Sequence, residues 1–136
     1  MKRKIMAVTL TAAMLAGLAA VPVWADDTGS DEGKVLNIYC WNEEFKSRLT
    51  DHYPGYEEVD GTHGKIGDVD VVWNITPSDD NAYQNNLDET LLKQADASAD
   101  DKIDLFLVEA DYALKYVNTD YTMPVADLGI TEDEVA

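Results

Sequence analysis

Three short apolar segments alternate with amphipathic ones along the chain, and this alternation limits the fold more than any other feature. The apolar runs at 35–41, 68–75 and 103–108 are rich in strand-forming residues and nearly continuous, which is typical of strands covered on both faces. Alternating strands and helices predict parallel strands joined by crossovers, with helices on both faces of the sheet. We therefore predict an α/β fold with a mainly parallel sheet.

The first two helical segments each have one apolar stripe with a spacing of four residues. The stripes consist of Phe45, Leu49 and Tyr53 in the first segment and Tyr83, Leu87 and Leu91 in the second. Asn42 can cap the first helix, and residues 54–67 are predicted as a loop. A short helix holding Leu114 and Val117 is predicted after the third strand.

Two side chains are predicted to be buried in strands, the lone thiol of Cys40 and the indole of Trp73. Near the end of the chain, the segment Thr131–Glu134 fits a capping box, which predicts the start of a helix. Three parallel strands with both edges open also form a small sheet. We therefore expect the sequence to be partial, with a frayed natural terminus as the alternative.

The first 25 residues have the pattern of a secretory signal peptide. A basic stretch at 2–4 precedes the apolar segment Ile5–Ala20, and Ala25 offers a cleavage point before Asp26. A membrane anchor is the alternative. Residues 26–33 are polar and acidic and are predicted to be a flexible leader. We therefore expect an exported protein, and Cys40 does not lie where a lipoprotein carries its acylated cysteine.

The chain is strongly acidic, with 27 Asp and Glu against 10 Lys and Arg and a formal net charge of −17. This charge disfavours binding to nucleic acid and to anionic membranes, and it favours a neutral or cationic partner. The strands are not followed by a glycine-rich phosphate loop, and zinc-ligand spacings are missing from the sequence. The polar loop around His63 is a poor metal site, so we expect no cofactor and no metal.

In open parallel sheets, ligands bind beyond the carboxyl ends of the strands. The residues that follow the three predicted strands are Trp41, Asn42 and Glu43, then Asn74, Thr76 and Ser78, then Glu109 and Asp111. Carboxylates and amides can hydrogen-bond the hydroxyl groups of a sugar while an indole covers its C–H face. The same set could hold an amine through charge and cation–π attraction.

Each candidate residue also has a purely structural interpretation. Trp41 could pack under the first helix, and Glu43 could complement the positive end of the helix dipole. Asp111 could cap the helix that follows the third strand, and Glu109 could be a solvated loop residue. These alternatives stay open on the sequence alone.

Five segments follow one another along the chain: KVLNIYCWNEEFKSRL, DVDVVWNI, NAYQNNLDETLLKQ, DKIDLFLVEADYALKYV and YTMPVADLGI. In this order they resemble the amino-terminal lobe of extracellular solute-binding proteins that serve ABC importers, most closely the carbohydrate-binding group, family 1. The resemblance covers about residues 34–130. It implies that residues 34–136 form part of a periplasmic-binding-protein-like lobe of type II. The lipoprotein cysteine common in relatives from single-membrane bacteria is missing, which puts the mode of surface retention in doubt.

The resemblance also implies a function and a set of site residues. The protein would be a monomeric receptor, periplasmic or at the cell surface, that closes around a small solute and delivers it to a membrane permease. Carried over one by one, the ligand-binding positions are Trp41, Asn42, Glu43, Glu109, Asp111 and Tyr112. Such a receptor is not an enzyme, and a partial lobe is not expected to bind ligand tightly by itself.

Three other functions remain open at this stage. A receptor of the same scaffold could take a polyamine or another cationic solute, since carboxylates follow the third strand. A secreted carbohydrate-active hydrolase could use Glu43 with Glu109 or Asp111 as acid and base. An adhesion or interaction module would need no ligand pocket.

Overall fold

The computed structural model describes residues 33–135. The predicted signal peptide and nearly all of the predicted leader lie outside this range. The strands are β1 (Val35–Cys40), β2 (Tyr56–Glu58), β3 (His63–Ile66), β4 (Val69–Ile75) and β5 (Leu105–Phe106). The α-helices are α1 (Glu44–His52), α2 (Ala82–Leu91) and α3 (Glu132–Val135). Short 3-10 turns lie at Asp79–Asn81, Gln94–Asp96, Ala99–Asp101, Ala113–Lys115 and Val125–Leu128.

The five strands form one mixed sheet in the order β2-β3-β4-β1-β5. The central strand β1 runs parallel to both β4 and β5, which confirms the three predicted parallel strands. The strands β2, β3 and β4 pair antiparallel. The fold is therefore α/β, but the sheet is mixed rather than mainly parallel.

The source of this difference is a hairpin, β2 and β3, in the segment predicted as a loop. Tyr56 and Ile66 pair across the hairpin and pack onto the sheet core. The Trp73 indole N–H also donates to the Tyr56 hydroxyl at 3.0 Å. The hairpin is held by contacts between residues that are distant in sequence. Its short polar strands therefore have no periodic pattern from which they could be predicted. The hairpin pairs with β4 and so covers one of the two edges that were predicted to be open. The prediction is wrong for this edge.

Helices α1 and α2 lie on opposite faces of the sheet, as predicted. In β1, Ile38 and Cys40 belong to a cluster that includes Phe45 and Leu49 of α1; we call it the α1-face cluster. Tyr39 of the same strand packs on the other side, as expected for side chains that alternate along a strand. The α2-face cluster contains the buried residues Tyr83, Leu87, Leu91, Ile103 and Tyr116. The predicted burial of Cys40 and Trp73 is confirmed.

The predicted stripe of α1 is only partly correct. Phe45 and Leu49 pack against the α1-face cluster, but Tyr53 is 51% exposed because the helix ends at His52 and Tyr53 turns to an extended conformation. Lys46 is instead the buried residue of the helix. Its ammonium donates to the Glu58 carboxylate at 3.0 Å and to the Gly61 carbonyl at 2.7 Å. The lysine thus ties α1 to the hairpin.

The third strand and the helix after it differ most from the prediction. The strand pairs regularly only at Leu105 and Phe106. Just before it, the Gln94 side chain donates to the Ile103 carbonyl at 2.8 Å and accepts from its N–H at 2.9 Å, which replaces strand pairing. The predicted helix is a single 3-10 turn in which Leu114 is 86% exposed.

The turn itself has no buried residue; Tyr116, which directly follows it, is buried, whereas Val117 is exposed. The apolar residues chosen from sequence were therefore the wrong ones. The short helix α3 does begin at the predicted capping box. The Glu134 carboxylate accepts from the Thr131 backbone N–H at 2.8 Å and from the Thr131 hydroxyl at 2.9 Å, which holds the pKa of Glu134 below its usual value.

Candidate functional site

The order of the parallel strands creates a topological switch point between β1 and β5. The chain passes from β1 through α1 and the hairpin to β4 on one side of β1, and then through α2 to β5 on the other side. At such a point the loops diverge from neighbouring strand ends, and ligands bind in the space outside them. We call residues 41–43 and 107–112, which follow β1 and β5, the switch-point edge.

The two strands stay paired up to this edge. Tyr39 lies opposite Phe106, and the Leu107 N–H donates to the Tyr39 carbonyl at 3.0 Å. Beyond this bond the two strands end, and the chain continues into a separate loop after each of them. All six sequence-predicted site residues therefore follow the same end of two adjacent strands.

Trp41 is half-buried on the α2 side of the sheet. Its ring meets the ring of Tyr83 edge to face, with centroids 5.5 Å apart and an interplanar angle of 74°. The alternative that Trp41 packs under the first helix is wrong, because its packing partner is α2. The indole is held in place by the core while part of it remains open to solvent, as a stacking platform requires.

Asn42 and Glu43 form the exposed turn between β1 and α1. The Asn42 side-chain oxygen accepts from the Glu44 N–H at 3.0 Å, but Glu43 holds the cap position of α1 and no side chain caps the helix, so the predicted cap by Asn42 is wrong. The Glu43 backbone carbonyl accepts from the Ser47 N–H at 2.9 Å. Its carboxylate has no hydrogen bond or ion pair to a described residue, whereas Glu44 pairs with Arg48.

Glu109 and Asp111 are exposed after β5, and Tyr112 is half-buried beside them. The Tyr112 N–H donates to the Glu109 carbonyl at 3.2 Å, which forms a turn. Asp111 makes no capping bond to the following 3-10 turn, so the predicted alternative role as a helix cap is not seen. Burial raises the pKa of the Tyr112 hydroxyl, and the charges of Glu109 and Asp111 add to this effect.

The structure brings two of the six residues onto one cluster. Trp41 and Tyr112 both pack against the α2-face cluster, and Tyr112 meets Tyr116 edge to face at 6.3 Å. The other four residues (Asn42, Glu43, Glu109 and Asp111) lie on the loops that carry these aromatic rings. The arrangement is an aromatic floor with carboxylates and an amide on the surrounding loops.

Sequence analysis missed a role for Tyr83 at this edge, because its spacing marked it only as a core residue. Its hydroxyl donates to the Leu107 carbonyl at 2.7 Å and lies 3.1 Å from the Tyr39 carbonyl. Asn74, at the carboxyl end of β4, carries a buried side-chain N–H group without a partner among the described residues. No periodic signal could have found either feature.

Another polar cluster lies in the hairpin, where β3 is two strands from β1. In the hairpin, His63 Nδ1 lies 2.9 Å from the Asp60 carboxylate. The Thr62 N–H and the His63 side chain lower the pKa of Asp60 to about 2. Within residues 33–135, no group of three or more His, Cys, Asp and Glu side chains could hold a metal ion.

Four surface cavities of about 300 to 670 Å³ are lined by other residues. The largest, about 670 Å³, lies between Gln94 and Tyr121. None of the six predicted residues lines any of the four. Four of the six residues (Asn42, Glu43, Glu109 and Asp111) are exposed, as residues on one wall of a two-sided site would be.

Comparison with protein-family models, curated proteins and solved structures gave no match. None of the helices described in residues 33–135 is both long and apolar enough to cross a membrane.

Proposed function

We propose that this chain is the amino-terminal lobe, of the type II periplasmic-binding-protein kind, of the extracytoplasmic solute receptor of an ABC importer. It captures a small solute, a sugar or an oligosaccharide, and delivers it to a membrane permease. One observation carries the proposal: the switch point lies between the two strands whose following loops hold all six residues expected from the resemblance.

The chemistry of the edge fits a polyhydroxylated solute. Trp41 and Tyr112 offer aromatic surface to the C–H face of a sugar ring. The carboxylate of Glu43 is not engaged by the described residues, and Asn42 retains its side-chain N–H groups as donors. Such a site binds without chemistry, and its specificity comes from hydrogen bonds and stacking.

A receptor of this kind works by closure. One lobe supplies an open wall, and a solute that contacts both lobes shifts the equilibrium from open to closed. The permease then distinguishes the closed form from the open one. The basic, apolar and small-residue pattern of the first 25 residues supports export to the periplasm or the cell surface.

A cationic solute, such as a polyamine, is the second candidate. Glu43, Glu109 and Asp111 are exposed on the loops of one edge, and no described cation forms an ion pair with them. Carboxylates around aromatic rings are suited to hold ammonium groups. The negative charge of the whole chain would also attract such a ligand.

Thermal-shift screening of the full-length protein separates these candidates. We expect neutral oligosaccharides such as maltotriose or xylotriose to raise the melting temperature. If only spermidine or putrescine does so, the sugar assignment is wrong. If the wild-type protein hydrolysed an oligosaccharide and Glu109→Gln abolished this turnover, the protein would be a hydrolase and not a receptor.

Substitution of the indole tests the site itself. In the full-length protein, Trp41→Ala should weaken solute binding by about 1–3 kcal/mol if the indole stacks on the solute. Tyr53→Ala, which removes an exposed aromatic ring at the end of α1, is the control and should leave affinity unchanged. If Trp41→Ala lowered the stability of the protein but left its affinity unchanged, Trp41 would be a packing residue and not a ligand-binding one.

A further inference from the structure

Tyr83 connects three parts of the molecule at the point where β1 and β5 separate. It is 1% exposed, and its hydroxyl hydrogen is shared between the carbonyl of Leu107, at 2.7 Å, and that of Tyr39, at 3.1 Å. Leu107 follows β5 and Tyr39 lies in β1. One phenol from α2 therefore bridges the two strands that flank the switch point.

The ring of the same residue supports the indole of the site. Trp41 lies two residues beyond Tyr39, and its ring packs edge to face on Tyr83. An edge-to-face pair has a preferred geometry, so the position of the phenol constrains the orientation of the indole. The hydroxyl thus anchors the ring, and the ring in turn orients Trp41.

Tyr83 is a neutral hydrogen-bond donor at neutral pH. Burial raises the pKa of its hydroxyl far above the usual range of tyrosine. The phenol therefore keeps the hydrogen that it donates to the two carbonyl groups.

We propose that Tyr83 is a positioning residue for the solute site, which sets the spacing of the β1 and β5 loops and the orientation of Trp41. The inference rests on the proposed function, since it assigns Trp41 to solute binding. Tyr83 itself does not touch the solute. It acts through Trp41 and through the backbone of Leu107.

A matched control distinguishes this role from ordinary core packing. Tyr116 is also buried in the α2-face cluster, at 3% exposed, and its hydroxyl donates to the Asp88 carboxylate at 2.9 Å. Tyr83→Phe and Tyr116→Phe each remove one phenolic hydrogen bond and keep the ring. Only the first of these bonds reaches the strand ends at the switch-point edge.

The experiment compares both variants with the wild-type full-length protein. Amide and indole NMR signals report the environments of Trp41 and Leu107, and isothermal titration with maltotriose reports affinity. In Tyr83→Phe we expect shifted signals of both residues and weaker binding, by up to about fivefold, the factor that corresponds to the energy of one hydrogen bond. In Tyr116→Phe we expect a comparable loss of melting temperature with wild-type signals at Trp41 and wild-type affinity.

The outcomes are separable from those of the proposed function. Unchanged Trp41 signals in Tyr83→Phe, or equal changes in both variants, overturn the positioning role. If maltotriose and the other solutes fail to bind the wild-type protein, the proposed function fails, and the NMR signals still decide whether Tyr83 orients Trp41. Should Tyr83→Phe not fold, nuclear Overhauser contacts between the Tyr83 ring and the Trp41 indole in the wild-type protein must be present, and their absence overturns the inference.

Discussion

The two faces of the sheet are built differently. On the α1 face, the polar groups of the core satisfy one another at a distance from the switch-point edge, as the Trp73 indole and the Tyr56 hydroxyl do. On the α2 face, the core is rich in tyrosine, and the hydroxyl of Tyr83 reaches the backbone at the edge itself. That cluster continues into Trp41 and Tyr112 without a break.

Because of this difference, we expect changes in the two clusters to have different effects on stability and on the candidate site. A change in the α1-face cluster should alter the free energy of unfolding and leave the environment of Trp41 as it is. A change in the α2-face cluster that disturbs the ring of Tyr83, on which Trp41 packs, should alter both. The indole NMR signal of Trp41 is therefore a common measure for the variants below, alongside the free energy of unfolding from urea denaturation.

The largest effect is expected for Leu87→Ala in the α2-face cluster. Leu87 is fully buried, so its truncation should lower the free energy of unfolding by about 2–5 kcal/mol. We also expect a shift of the Trp41 indole signal, because the cavity left one helical turn from Tyr83 lets the Tyr83 ring move, and Trp41 packs on that ring. Leu92→Ala, at a position 74% exposed, is the control and should change neither quantity. An unchanged Trp41 signal in Leu87→Ala would contradict the expected difference between the two faces.

A somewhat smaller effect is expected for Gly64→Ala on the α1 face. A Cβ atom at Gly64 would lie 2.3 Å from the Tyr56 hydroxyl oxygen and 2.6 Å from a carbon of its ring. The ring must move, and such overpacking costs about 1–3 kcal/mol. Gly61→Ala is the control, since a Cβ atom there meets nothing within 4 Å. Equal stability of the two variants would show that the hairpin does not depend on this contact.

Tyr56→Phe tests the polar pair of the α1-face cluster. The variant leaves the buried indole N–H of Trp73 without its acceptor, which should cost about 1–3 kcal/mol. The Trp41 signal should not move. Tyr53→Phe removes the hydroxyl of an exposed tyrosine and should be neutral. If Tyr56→Phe shifted the Trp41 signal, the two faces would not be independent.

The smallest effect concerns the loop of the hairpin and its dependence on pH. Asp60 has its pKa lowered to about 2, chiefly by the Thr62 backbone N–H and then by the His63 side chain. A carboxyl with a depressed pKa stabilises the fold above its unfolded pKa of about 4, and this contribution is lost as the pH falls toward 2. The melting temperatures of the wild type and Asp60→Asn should therefore differ at pH 7 and converge near pH 2. A constant difference across this range would contradict the assignment.

Much of the secondary structure could be predicted, because it depends on neighbours in sequence. The period of Tyr83, Leu87 and Leu91 marked α2, and the acidic capping box marked the start of α3. The same logic failed at Leu114, which is apolar but exposed, since burial depends on which side of a turn meets the core. The hairpin left no signal, because its polar strands are held by distant partners.

For the candidate site, the sequence alone determined the kinds of side chains that follow each strand and the parallel direction of those strands. The tertiary structure decided that β1 lies between β4 and β5, which places the switch point beside Trp41 and Glu109. It also decided the bridge from Tyr83 to Tyr39, across 44 positions of the chain. Strand order and such bridges follow from the packing of whole elements, and local sequence patterns carry no record of that packing.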